Sequence, residues 1–252
     1  DSSAAKSGET ATMPVSLEGA SFSSGDAGKT YTYQVSETTG GDAAVGYTND
    51  ATVYTVTVAP TFDAATGVLS VTTTVDGGTY HEKKTVTSAD TTTAADPVTV
   101  PFANSYKAQP GSLGGEGAAK IVATKQLANR PMTDGEFTFA VTNAHDTVSP
   151  ATVVAKGANA ADGTITFDKI SYTTDSLEAD AAEGLAQRTI GADGSYTYTY
   201  SYLVSEDEPA AGSGVTAITG AQAITVTVTD KGDGSALGVA VTYPEGSTGL
   251  IF

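Results

Sequence analysis

The chain contains no cysteine. That excludes disulfides and thiolate metal sites; a secreted β protein built this way must take its rigidity from another source. Histidine is nearly missing too: His81 and His145 lie in unrelated segments, which leaves histidine metal sites and the usual nucleophile triads little to build on. Positive charge is scarce. Lys and Arg number 12 against 29 Asp and Glu, a net charge of −17, so nucleic acid and anionic membrane surfaces are repelled. No apolar run approaches the roughly 20 residues of a membrane helix. No signal peptide is visible, so the chain reads as a mature or excised segment. No glycine-rich phosphate loop follows a strand and opens a helix. Asp230-Lys-Gly-Asp-Gly-Ser235 has a faint likeness to a calcium loop but lacks the closing bidentate Glu, and a hairpin turn explains it better. No metal or cofactor is implied.

What is present points to strands. The 252 residues are dominated by Thr, Ala, Gly, Val and Ser, with 39% apolar and 16% charged residues, a composition suited to all-β structure with many turns. Turn pairs such as Asp162-Gly163, Asp193-Gly194 and Asp233-Gly234 punctuate alternating apolar segments. The expected class is all-β, as tandem Ig-like or Greek-key β-sandwich domains. The one helical-looking window, Ser176–Arg188, is expected to be a loop with a turn or two.

The chain repeats itself. One copy runs from Gly28-Lys-Thr-Tyr-Thr-Tyr-Gln-Val-Ser-Glu37 through Tyr54-Thr-Val-Thr-Val58 to Val100-Pro-Phe-Ala-Asn-Ser-Tyr106. The other runs from Gly194-Ser-Tyr-Thr-Tyr-Thr-Tyr-Ser-Tyr-Leu-Val-Ser-Glu206 through Ile224-Thr-Val-Thr-Val228 to Phe252. The second copy opens with Lys120–Leu127 and Gly135–Val141, for which the first has no counterpart. The Gly- and Pro-rich linker places the domains at 1–111 and 112–252.

Within this repeat, polar groups sit on apolar strand faces. Side chains alternate across a strand, so Glu37 shares a face with Tyr31, Tyr33 and Val35, and Glu206 with Tyr198, Tyr200, Tyr202 and Val204. By the same alternation Lys125 falls with Ile121, Ala123 and Leu127, and Asn104 with Phe102 and Tyr106. An isolated ionised group in a core is too costly to be incidental. Burial favours a neutral lysine amine and a protonated glutamate. Such a glutamate can donate to the Asn carbonyl, the amine can attack that carbon, and ammonia leaves. The product is a Lys–Asn isopeptide bond, made once per domain, with no turnover of substrate. Plainer readings compete: glutamates escaping to solvent at strand ends, a lysine snorkelling from an edge strand, an asparagine capping a turn. The run Tyr196, Tyr198, Tyr200, Tyr202 reads as core packing ahead of a glycan-stacking platform.

Thr-Lys125-Gln-Leu-Ala-Asn-Arg-Pro-Met, Gly-Glu-Phe-Thr-Phe, Gly-Ser-Tyr-Thr-Tyr with Val-Ser-Glu206, and Phe-Ala-Asn104-Ser-Tyr together resemble the repeat of Gram-positive major pilins and surface adhesins of the FctA (T-antigen) type. The resemblance implies extracellular, cell-wall-attached β-sandwich domains with intramolecular Lys–Asn bonds and a catalytic Glu. It assigns Lys125 as amine and Glu206 as acid in the second domain, and Glu37 as acid and Asn104 as amide in the first. It implies neighbouring repeats or fibre subunits as partners, and host protein or glycan if a loop such as Ser171–Thr189 is adhesive. Two elements depart from the pattern. The first copy lacks its Lys strand, for which Lys6, in a polar Ser/Ala/Gly stretch, is a candidate substitute. The second lacks its Asn, expected two positions beyond Phe252 as Asn104 stands two beyond Phe102. The missing partners are expected outside the segment or from another chain by strand addition. A crosslink of this kind restrains the unfolded chain as a disulfide does, by about 4 kcal/mol for a hundred-residue loop, and it cannot be reduced.

Overall fold

A computed structural model describes residues 11–15, 20–38, 45–89, 92–114, 119–216 and 220–252. Strands dominate, and the chain is an all-β protein of sandwich type. It separates into two compact units, Asp1–Tyr106 and Lys107–Phe252. The division falls ahead of the expected 111/112 boundary because Gly111–Leu113 is already a strand of the second unit, paired with Ile170–Tyr172. Among the described residues, no helix is long and apolar enough to cross a membrane.

In the first unit, four antiparallel strands lie in the order Tyr31–Ser36, Val53–Asp63, Val68–Gly77, Tyr80–Ser88. A second layer contains Val98–Phe102 paired antiparallel with Ala11–Val15. Alternation builds the core between them. Tyr54, Val56 and Val75 from the sheet pack with Val98, Val100 and Phe102 from the opposing layer. Phe22, Val58, Leu69 and Val71 form a second cluster. Each such side chain, fully buried, contributes roughly 1.5–3 kcal/mol. The outer strand Tyr31–Ser36 is less buried than its tyrosines suggest, with Tyr33 40% exposed. The apolar face expected beside Glu37 is therefore half open to solvent.

In the second unit, the main sheet runs Ile165–Phe167, Val153–Asn159, Thr138–Asn143, Tyr196–Glu206, Gln222–Asp230, Gly238–Thr242, with Gln187–Ile190 also pairing Tyr196–Glu206. The eleven-residue strand Tyr196–Glu206 is central. Tyr198, Tyr200, Tyr202 and Val204 are buried, and the Tyr200 and Tyr202 rings stack at 5.5 Å. These three tyrosines are core, not a glycan platform. Burial pushes the Tyr202 phenol up to about 12, so it stays neutral.

The expected loop after Tyr172 is instead a nine-residue helix, Thr174–Ala182. The sequence hides it because its apolar stripe is thin, with Leu177 as its one large buried apolar residue. Polar contacts hold it. Thr173 caps the N-terminus by accepting from the Ser176 N–H, and Glu178 and Asp180 accept from the Tyr198 and Tyr200 hydroxyls at 2.5 and 2.7 Å.

Candidate crosslinking sites

The second unit brings Lys125 and Glu206 together. The Lys125 strand is held on both sides. Lys125 N–H donates to the Gly163 carbonyl at 2.7 Å. Phe252 brackets it from the other edge: its N–H donates to Thr124 at 2.9 Å and its carbonyl accepts from Gln126 at 2.6 Å. Ala123–Thr124 and Leu250–Ile251 run parallel. Gly163 is required here, since a Cβ at that position would meet the Lys125 carbonyl at 2.4 Å and its φ is +90°. Alternation then turns Ile121, Ala123 and Lys125 inward, and all three are buried.

Glu206 arrives from the end of the tyrosine strand, opposite Phe139 in register. Its side chain has 0% exposure and that of Lys125 3%. The ammonium nitrogen lies 2.7 Å from Glu206 Oε1 and 2.9 Å from Oε2. Only the Oε2 contact has hydrogen-bond geometry. Oε1 is buried against the same amine nitrogen without a directed hydrogen bond. The Phe137 ring lies 4.6 Å from Lys125 Nζ. Behind it stand Phe139, Phe167 and Phe252, with Phe139 5.1 Å from Phe252 and 6.4 Å from Phe167. The pair is therefore dry and aromatic-walled, where a charge interaction is much stronger than in water.

The first unit brings Glu37 and Asn104 together. Asn104 follows the Val98–Phe102 strand, and Glu37 follows Tyr31–Ser36. Both are half-buried. Asn104 Nδ2 donates to Glu37 Oε1 at 2.7 Å. The Asp50 peptide N–H donates to Asn104 Oδ1 at 2.8 Å, with a longer contact of 3.2 Å to Glu37 Oε2. A peptide N–H can only donate, which fixes Oδ1 toward Asp50 and Nδ2 toward Glu37. The expected contact, a glutamate proton on the Asn carbonyl, is thus replaced. Glu37 holds the amide nitrogen, and a backbone N–H holds the carbonyl. Among the described residues no lysine is ion-paired with Glu37; Lys6 lies outside them.

Sequence reasoning gave no site role to Asp50, Phe137 and Gly163. Asp50 leaves a weak local signal, an Asp two residues before Thr52, and it accepts from the Thr52 N–H and hydroxyl as an Asx turn. Nothing local connects it to Asn104, 54 residues away. The Asp230–Ser235 segment is a turn in which Asp230 accepts from the Gly232 N–H and Asp233 from the Ser235 N–H. Among the described residues no carboxylate or histidine group is arranged to hold a metal. In Ser171–Thr189 the single aromatic residue, Tyr172, is buried.

Comparison with curated proteins and with solved structures returned no match. Comparison with family models did. The FctA model, described as a Spy0128-like isopeptide containing domain, matches residues 2–107 and 121–252. With nearly the whole chain covered by two matches, this protein belongs to the FctA family of pilin-type, isopeptide-bonded surface-fibre domains.

Proposed function

We propose that the chain is a stalk segment of an extracellular bacterial surface fibre, whose repeats lock themselves with Lys–Asn isopeptide bonds. The observation that carries this reading is the Lys125–Glu206 contact. At 2.7 Å a proton passes between the two groups without a water. Transfer leaves a neutral amine beside a protonated acid, the form able to attack an amide and to protonate its departing nitrogen. The Glu206 carboxylate is where an asparagine N–H would dock, as Asn104 Nδ2 docks on Glu37 Oε1.

The two units display complementary halves of one reaction. The second supplies amine and acid, the first acid and amide. The role is mechanical. A bond between outer strands keeps a domain closed under tension and proteolysis, without any cysteine. Fibre subunits carrying the same repeat are the natural partners, and an extracellular, wall-attached location suits the family.

The test is peptide mapping of the protein isolated from its native surface. The expected product is a branched peptide joining Lys125 to an asparagine with loss of one ammonia, missing in Glu206→Ala. A Lys125 that is freely acetylated after denaturation, with no branched peptide, would overturn the reading.

A further inference from the structure

We infer that the Asp50 peptide N–H is the oxyanion donor for attack on Asn104, and that the Asp50 carboxylate is the clamp that aims it. This rests on the crosslinking reading given above and goes further by assigning a residue outside the Lys–Glu–Asn set.

The donor already meets the carbonyl oxygen on which the negative charge would develop. The N–H lies 2.8 Å from Asn104 Oδ1, within the range at which such donors act. When a lysine ε-amine adds to Cγ of Asn104, the carbonyl π pair moves onto Oδ1, where the Asp50 N–H meets the new charge. Glu37 takes a proton from the attacking nitrogen and passes it to Nδ2, which it already holds at 2.7 Å. Collapse reforms the carbonyl, breaks Cγ–Nδ2 and releases ammonia. One N–C bond forms, one breaks, and the proton balance closes.

The clamp is separate from the donor. Asp50 Oδ2 accepts from the Ala103 N–H at 2.9 Å, the residue preceding Asn104. Asp50 Oδ1 accepts from the Thr52 N–H at 2.9 Å and its hydroxyl at 2.6 Å. One side chain thus ties the backbone on the amide's side to the turn that carries the donor. Those same donors, Ala103 first and then Thr52, hold the Asp50 carboxyl below the usual value. It is a charged acceptor, which makes each bond stronger than a neutral one. Two titratable groups face this cluster: Glu37, which accepts from the Asp50 N–H at 3.2 Å, and the Tyr54 phenol, raised by burial first and then by the Asp50 charge.

The full chain can be tested with hydroxylamine, a small amine that needs no docking strand, with conversion of Asn104 to its hydroxamate followed by mass spectrometry. Asp50→Pro removes the N–H and is expected to slow conversion about a hundredfold. Asp50→Ala keeps the N–H but loosens it, for about a tenfold loss. Asp50→Asn keeps an acceptor and restores most of the rate. Hydrogen exchange gives a readout without chemistry: the residue 50 N–H should exchange several-fold faster in Asn104→Ala than in wild type. Equal exchange, or Asp50 variants reacting at the wild-type rate while Glu37→Gln is slow, overturns the assignment and leaves the crosslinking reading standing. A wild-type Asn104 inert to hydroxylamine overturns the activation of this amide and the assignment with it.

Discussion

Glu206 and Glu37 close equivalent tyrosine-rich strands, yet they meet different surroundings. Glu206 has a side chain with no exposure, a lysine nitrogen at 2.7 Å and an aromatic wall. Glu37 is half-buried and faces an amide nitrogen at 2.7 Å and a peptide N–H at 3.2 Å. The difference begins one layer out. In the second unit, the Lys125 strand lies between the Gly163 turn and Leu250–Phe252 and covers the acid. In the first unit, Ala11–Val15 pairs directly with Val98–Phe102, and no strand equivalent to Lys125's lies between them among the described residues. The repeat motif therefore places a carboxylate, and its neighbours decide how dry the carboxylate becomes.

Breaking the pair in the second unit should have the largest effect. Glu206→Ala leaves Lys125 buried without its acid, and a loss of about 3–5 kcal/mol is expected in denaturant unfolding of that unit. A loss below about 1 kcal/mol would show that the amine reaches water after all. Replacing both members, Lys125→Met with Glu206→Leu, should restore the stability, since a buried pair often does no more than offset its own desolvation.

The same truncation in the first unit should do less. Glu37→Ala removes hydrogen bonds from a half-solvated site, so about 1 kcal/mol is expected in the same assay. Similar losses for Glu37→Ala and Glu206→Ala would erase the contrast between the units.

A comparable effect is expected at the helix that distinguishes the second unit. Thr173→Ala removes the cap on Thr174–Ala182, for about 1 kcal/mol, and should speed hydrogen exchange in the first turn. If exchange there is unchanged, the Tyr198 and Tyr200 hydroxyls alone fix the helix.

The smallest and most conditional effect concerns acid. The Ala103 and Thr52 donors hold the Asp50 carboxyl below its ordinary 3.8. A folded pKa below the unfolded one contributes stability that is present above pH 3.8 and is lost as pH falls through the lower folded value. The stability gap between wild type and Asp50→Ala should be full at neutral pH and shrink below pH 3.8. A gap that is constant with pH would mean that the carboxylate's charge contributes nothing.

Much of this was legible in the residues. Period-2 alternation put Tyr198, Tyr200, Tyr202, Val204 and Glu206 on one face, because side-chain direction in a strand is a local property. Repeated motifs separate two copies, and a chain without cysteine must take its rigidity from a source other than disulfides. Less was legible where local signals are weak. The helix Thr174–Ala182 has little apolar periodicity and is held by tyrosines from a distant strand. Tyr33 carries a core-like side chain on an outer strand and is 40% exposed among the described residues.

The sequence by itself determined the all-β class and the repeat, since both depend on short spacings and turn signals. Only the tertiary structure decided the distances and the groups around each pair. Lys125 reaches Glu206 across 81 positions and Asp50 reaches Asn104 across 54. It also showed that the Asn carbonyl is held by a backbone N–H and not by the glutamate. A peptide N–H is present at nearly every residue and so carries no sequence signature; only its placement by the fold makes it chemically distinct.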